Sequence, residues 1–133
     1  MTNVDRTARN TNLLVWHKQL WPIDHGAALY VHHSWSDYLA HSRHPFTAIK
    51  DHVLLPLADA DGLARADAAA HAVLSAELFA RVVEAVPDDW LAGEARFATL
   101  AEHRAAYVAY LSSRLEASAI FVEEAQHAGA QLV

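Results

Sequence analysis

Only two stretches of the chain have the look of β-strands, and they lie within ten residues of each other. Leu13-Leu14-Val15-Trp16 and Leu20-Trp21-Pro22-Ile23 are short apolar runs separated by polar His17-Lys18-Gln19. Runs this close together are expected to pair as an antiparallel hairpin with a three-residue turn. Pro22 has no N–H and belongs at an edge or non-bonded position of its strand. Trp16 and Trp21 are placed to meet across the ladder. One hairpin does not enclose a core, so the remaining chain has to supply it from helices.

From Asp59 onward the sequence is alanine-rich and helical in pattern. Asp59–His71 reads as one or two short helices interrupted by Gly62. Ser75 is an N-cap for Ala76–Val86, which carries Leu78, Phe79, Val82, Val83 and Val86 on one face. Pro87-Asp88-Asp89 closes that helix. Thr99 caps a longer helix to about Ala117, with a stripe of Leu100, His103, Tyr107, Tyr110, Leu111 and Leu115. Ile120–His127 forms a last helix before Gly129, and Glu123-Glu124 read as a solvated face. Trp35, Tyr38 and Leu39 suit a helix packed beneath the hairpin, and Trp90 an anchor where a loop enters a helix. The expected fold class is α+β, mostly α, with one hairpin and about five helices. Its 133 residues make a single domain, with 1–31 as the hairpin part and 32–133 as the helical part.

Composition narrows the function. Net charge is −6 with no dense Lys/Arg block, so nucleic acid is a poor partner for this chain. Cysteine is absent, which removes disulfides and thiolate zinc sites. No apolar run approaches the roughly 20 residues of a membrane-spanning helix, and the first residues lack a signal-peptide core. The expectation is a bacterial-type cytoplasmic protein.

Chemistry concentrates at the N-terminus. Asp5-Arg6-Thr7-Ala8-Arg9-Asn10 sets an Asp five positions before an Asn, and the second strand runs into Asp24-His25-Gly26. Phosphoryl transfer requires a carboxylate to orient or deprotonate the attacking hydroxyl, together with oxygen ligands for magnesium. An Asp, an Asn five residues on, and a second Asp after a hairpin and before a Gly supply those groups. Magnesium takes one or two carboxylates along with phosphate oxygens and water. Because the hairpin doubles back, the loop before its first strand meets the residue after its second. Gly26 is expected to permit the backbone turn there.

The wording Val4-Asp5-Arg6-Thr7-Ala8-Arg9-Asn10-Thr11-Asn12-Leu13-Leu14, followed by Leu20-Trp21-Pro22-Ile23-Asp24-His25-Gly26-Ala27-Ala28-Leu29, resembles actinobacterial HipA-like kinase-domain proteins. More distantly it is similar to the catalytic motif of phosphatidylinositol 3/4-kinases. The resemblance extends through Tyr30–Trp35 and includes the helices around Tyr107–Leu115 and Phe121-Val122-Glu123. It implies the C-terminal lobe of a protein-kinase-like fold with the hairpin at the active-site edge. It implies Asp5 as the catalytic Asp, and Asn10 and Asp24 as magnesium ligands. Arg6 and Arg9 would face phosphate or substrate, and His25 takes the place of the aromatic in Asp-Phe-Gly. The implied activity is ATP- and magnesium-dependent transfer to a Ser/Thr hydroxyl of a protein substrate.

The chain departs from the family in lacking a glycine-rich phosphate loop and a phosphate-pairing lysine, its lysines being Lys18 and Lys50. The expectation is therefore a C-lobe without its N-terminal nucleotide lobe, inert as this fragment. It would be a piece of a longer protein, a remnant, or a chain completed by a partner. An apolar surface where the lobe would dock makes self-association an expectation too. Two other classes stay open. One is a noncatalytic helical binding module. The other is a metal-dependent hydrolase using His25, His32, His33, Asp24 and Asp37, drawn from a histidine-rich stretch that also holds His41, His44 and His52.

Overall fold

The computed structural model describes residues 2–132. Strands β1 (Leu13–Trp16) and β2 (Gln19–Pro22) pair antiparallel, with Leu14 opposite Trp21 and Trp16 opposite Gln19. The turn holds two residues, not the three expected, because Gln19 joins the ladder. His17 and Lys18 both have left-handed backbones, at φ 48° and 62°. That is the type I′ geometry whose twist matches the flanking strands, here built from residues that adopt it under strain. Trp16 and Trp21 meet diagonally, ring centroids 6.3 Å apart. The hairpin is otherwise solvated: Val15 is 72% and Trp16 59% exposed.

Trp35 is not beneath the hairpin. It is the centre of the core, 4% exposed. The rings of Tyr38, Phe97, His103 and Tyr107 stand edge-on to it, with centroids 4.6 to 5.6 Å away. Edge-to-face contacts of this kind contribute about 0.5–1.5 kcal/mol each beyond area burial. His103 is stacked between Phe97 and Tyr107. Leu39, grouped with Trp35 from the sequence, is half exposed, and Trp90 is 79% exposed and anchors nothing.

Among the described residues six α-helices follow the hairpin, with short 3-10 turns before the first and between the first and second: α1 (Tyr38–Ser42), α2 (Ala60–Val73), α3 (Ala76–Glu84), α4 (Asp88–Leu91), α5 (Leu100–Glu116) and α6 (Ser118–Ala130). Gly62 does not interrupt α2. It lies in the first turn, where its N–H needs an outside acceptor and finds Asp59 Oδ1. A Cβ there would meet Asp59 Oδ2 at 2.7 Å, so glycine is what lets the capping carboxylate curl over the turn. Ser75 and Thr99 cap α3 and α5 as expected, accepting from Leu78 and Glu102 N–H. The last helix runs beyond its expected limits and includes Gly129.

Helix α3 packs against α5, α2 against α6, and α1 against α5. Helices α5 and α6 join at Ala117, so the two long pairs diverge from that corner. Arg114 and Ser113 of α5 fix α1: Arg114 Nη1 donates to the carbonyls of Ser42 and His44, and the Ser42 and Ser113 hydroxyls are 2.7 Å apart. Arg104 joins the α3–α4 connection to α5 by donating to Val86 O and Asp88 Oδ1.

Candidate functional site

The segment before β1 is a tight loop closed on itself. Thr7 and Asn10 exchange backbone hydrogen bonds, 3.0 and 3.2 Å, which turns Asn10 back toward Asp5. Asn10 Nδ2 donates to Asp5 Oδ2 at 2.9 Å. Asn12 Nδ2 donates to the Asp5 carbonyl at 2.7 Å and to Oδ2 at 3.3 Å. Asp5 is half-buried, and one carboxylate oxygen carries both amide contacts. Asn12 has φ 46°, a left-handed conformation that asparagine tolerates.

Two side chains then fasten this loop to the far end of the hairpin. Asn3 spans it: its Oδ1 accepts from Asp5 N–H at 2.9 Å and its Nδ2 donates to the Asp24 carbonyl at 3.2 Å. Arg6 does the same from inside. Its Nη1 donates to the Asn12 carbonyl, and its Nη2 donates to the Ile23 carbonyl and to His25 Nδ1, both at 3.2 Å. Ile23 N–H bonds Asn12 O at 2.9 Å, so Arg6 caps the last rung of the ladder. The Arg6 backbone carbonyl accepts from Val53 N–H, tying the loop to the helical part.

The structure thus brings Asp5 and Asn10 into direct contact, while Asp24 is joined to this loop through its backbone carbonyl, which accepts from Asn3. Arg6, expected toward phosphate, faces inward and is 8% exposed. Its fork is occupied by backbone carbonyls, which orphaned strand-end acceptors require. Arg9 is exposed and takes no part in the cluster. The turn after β2 also differs from expectation. Asp24, not Gly26, is left-handed, at φ 50°. A Cβ on Gly26 would sit 3.5 Å from Asp24 Oδ1, an ordinary contact. Asp24 holds the turn by accepting Gly26 N–H, at 3.4 Å, on that oxygen.

Asn3 and Asn12 have no role in the reading of the sequence, and His25 stands there only in the aromatic's place of Asp-Phe-Gly and as a candidate metal ligand. The signal present in the sequence was the density of asparagine between residues 3 and 12, where short amides bond neighbouring backbone. Arginine is a donor only, so His25 Nδ1 accepts from Arg6, a position that a phenylalanine would leave empty.

Among the described residues, Asn10 Oδ1 and Asp24 Oδ2 receive no hydrogen bond, and oxygen donors of these two types are ones magnesium accepts. Among the described residues no group of three or more His, Asp or Glu is placed to hold a metal ion. His25 is engaged by Arg6, and the rings of His32 and His33 lie 4.3 Å apart, tilted by 53°. Also among the described residues, no helix is long and apolar enough to cross a membrane.

Comparison of the chain with protein-family models, curated proteins and solved structures finds no match.

Proposed function

We propose that Asp5, Asn10 and Asp24 are the base-and-metal part of a phosphoryl-transfer site of the HipA-like serine/threonine kinase type. The observation that carries this reading is the Asn10–Asp5 hydrogen bond. It uses the amide N–H of Asn10 and one oxygen of Asp5, and leaves the amide carbonyl and the second carboxylate oxygen free for other work. In this reading Asp5 Oδ1 orients a Ser or Thr hydroxyl and accepts its proton as the oxygen attacks the terminal phosphorus of ATP. Asn10 Oδ1 and Asp24 Oδ2 would hold magnesium, which when bound neutralises charge on the phosphate oxygens. Asn3, Asn12 and Arg6 position these groups without touching substrate. The glycine-rich loop and phosphate-pairing lysine that complete such a site are not among these 133 residues, so a further segment or a partner supplies them.

The test is an amide NMR titration of the chain with millimolar magnesium, with and without ADP. Shifts confined to residues 5–12 and 24–26, abolished by Asp24→Asn and by Asn10→Ala, are expected. A titration that moves no amide in either segment rejects the proposal. It would leave a noncatalytic helical binding module, the reading favoured by the solvent-facing apolar hairpin, where Leu14, Trp16, Leu20 and Trp21 are all exposed.

A further inference from the structure

The interior between the two helix pairs is not filled. A cleft of about 840 Å³ lies between the α2/α6 and α3/α5 layers, within the range of pockets that take small organic ligands. Its walls are aliphatic and aromatic: Leu63, Leu74, Leu78, Leu111, Phe121 and Val122 line it, and all of them keep partial solvent exposure where a closed core would hide them. Val82 and Trp90, 59% and 79% exposed, stand at its rim.

Two buried cations interrupt this apolar lining. Arg6 and Arg114 both line the cleft, and both are more than nine-tenths buried, at 8% and 5% exposure. Among the described residues neither is paired with a carboxylate; their acceptors are neutral carbonyls, a hydroxyl and an imidazole nitrogen. Buried cations are ordinarily neutralised by an anion. Arg114 Nε is sealed from solvent without an acceptor, the guanidinium lies 4.4 Å over the Phe121 ring, and Nη2 has only a 3.3 Å bond to the Thr2 hydroxyl. The remaining Nη2 hydrogen is a charge-assisted donor for one carboxylate oxygen. His52 adds a donor to this lining: its Nδ1 accepts from Leu54 N–H, which leaves the proton of a neutral ring on Nε2. Asp67 is the one acidic lining residue, and it belongs to α2, beside His71.

We infer that the cleft binds a long-chain carboxylic acid, its acyl chain between the α2/α6 and α3/α5 layers and its carboxylate at Arg114 and Arg6. The two requirements are separable. Apolar walls take the chain and exclude water; the unneutralised guanidinium groups select an anionic head over a neutral one of the same length. The site uses none of the free oxygens of Asp5, Asn10 or Asp24, although Arg6 and Asn3, which line the cleft, also position that loop.

The probe is palmitate, titrated calorimetrically into the full 133-residue chain, with hexadecanol as the neutral match. Saturable one-to-one binding at micromolar concentration is expected, with hexadecanol at least tenfold weaker. Val82→Glu, at the exposed rim, should weaken palmitate at least tenfold with the circular dichroism unchanged. Arg114→Gln should bring palmitate down to the level of hexadecanol; if that variant fails to fold, the palmitate–hexadecanol ratio on the unaltered chain decides the same point. Absence of saturable binding, equal affinity for acid and alcohol, or indifference to Val82→Glu each overturns the inference. So does sedimentation showing that the cleft is covered by a second copy of the chain that palmitate does not displace.

Discussion

Arg6 holds the hairpin base closed by donating to two strand-end carbonyls and a histidine ring, and its own carbonyl ties the loop to Val53. Replacing it by methionine keeps the aliphatic bulk but strands those acceptors, so Arg6→Met is expected to cost roughly 2–4 kcal/mol in a urea melt. The same change reports on His52. Burial first, and the Arg6 charge second, hold the His52 pKa below its ordinary 6.5. A base whose pKa is lower folded than unfolded carries fewer protons when folded, so stability is full above pH 6.5 and declines as pH falls toward the folded value. His32, lowered by burial and then by His33, acts in the same direction. Histidine NMR should therefore place His52 below 6.5, move it upward in Arg6→Met, and show stability dropping as pH falls from 7 toward 5. His103 makes the opposite point about a buried ring. Neither of its nitrogens has a partner, although it is 5% exposed. His103→Phe should therefore be neutral or stabilising by about 1 kcal/mol in thermal unfolding, because it removes polar atoms and keeps the stack with Phe97 and Tyr107.

At the scale of elements, helix starts were legible because caps are local. Ser75 and Thr99 each precede an apolar-periodic segment and each bond the N–H three residues on. Ser75→Ala and Thr99→Ala should each cost about 1 kcal/mol by denaturant unfolding. Helix ends were less legible. Gly62 and Gly129 read as breakers, yet both are helical, since a first-turn cap and the packing of α6 outweigh about 1 kcal/mol of glycine propensity. The hairpin turn was misjudged by one residue for a similar reason. His17-Lys18 carries none of the usual type I′ signal, and pairing of Gln19 with Trp16 imposes the shorter turn on it. Changing His17-Lys18 to Asn-Gly should relieve that strain. Hairpin amides would then exchange more slowly with deuterium while the melting temperature moves little, because few contacts join the hairpin to the helices.

For the whole molecule, the consequential feature is how the helix pairs diverge. Among the described residues eleven hydrophobic ones are buried outright, and Ser42 is the largest fully enclosed side chain. Apolar residues that the sequence marks as core line an open cleft in their place. Without an occupant, filling that space should stabilise the chain. Ala70→Leu, directed into the cleft from α2, is expected to gain about 0.5–2 kcal/mol by thermal unfolding. The aromatic core around Trp35 sits elsewhere, and Trp35→Ala is expected to cost about 3–5 kcal/mol by the same measurement.

The sequence by itself determined the class of the molecule: one hairpin, then helices begun at Asp59, Ser75 and Thr99, because strand alternation, caps and helical spacing are short-range signals. It also sets three oxygen-bearing side chains, Asp5, Asn10 and Asp24, on either side of the hairpin. Only the tertiary structure decided that Arg6 turns inward, that Asn3 and Asn12 bind the loop to the hairpin, that Trp35 leaves the hairpin for α5, and that two helix pairs enclose a cleft. Each of these depends on which distant groups share a space and need their hydrogen bonds or apolar surface satisfied, and no local pattern encodes that.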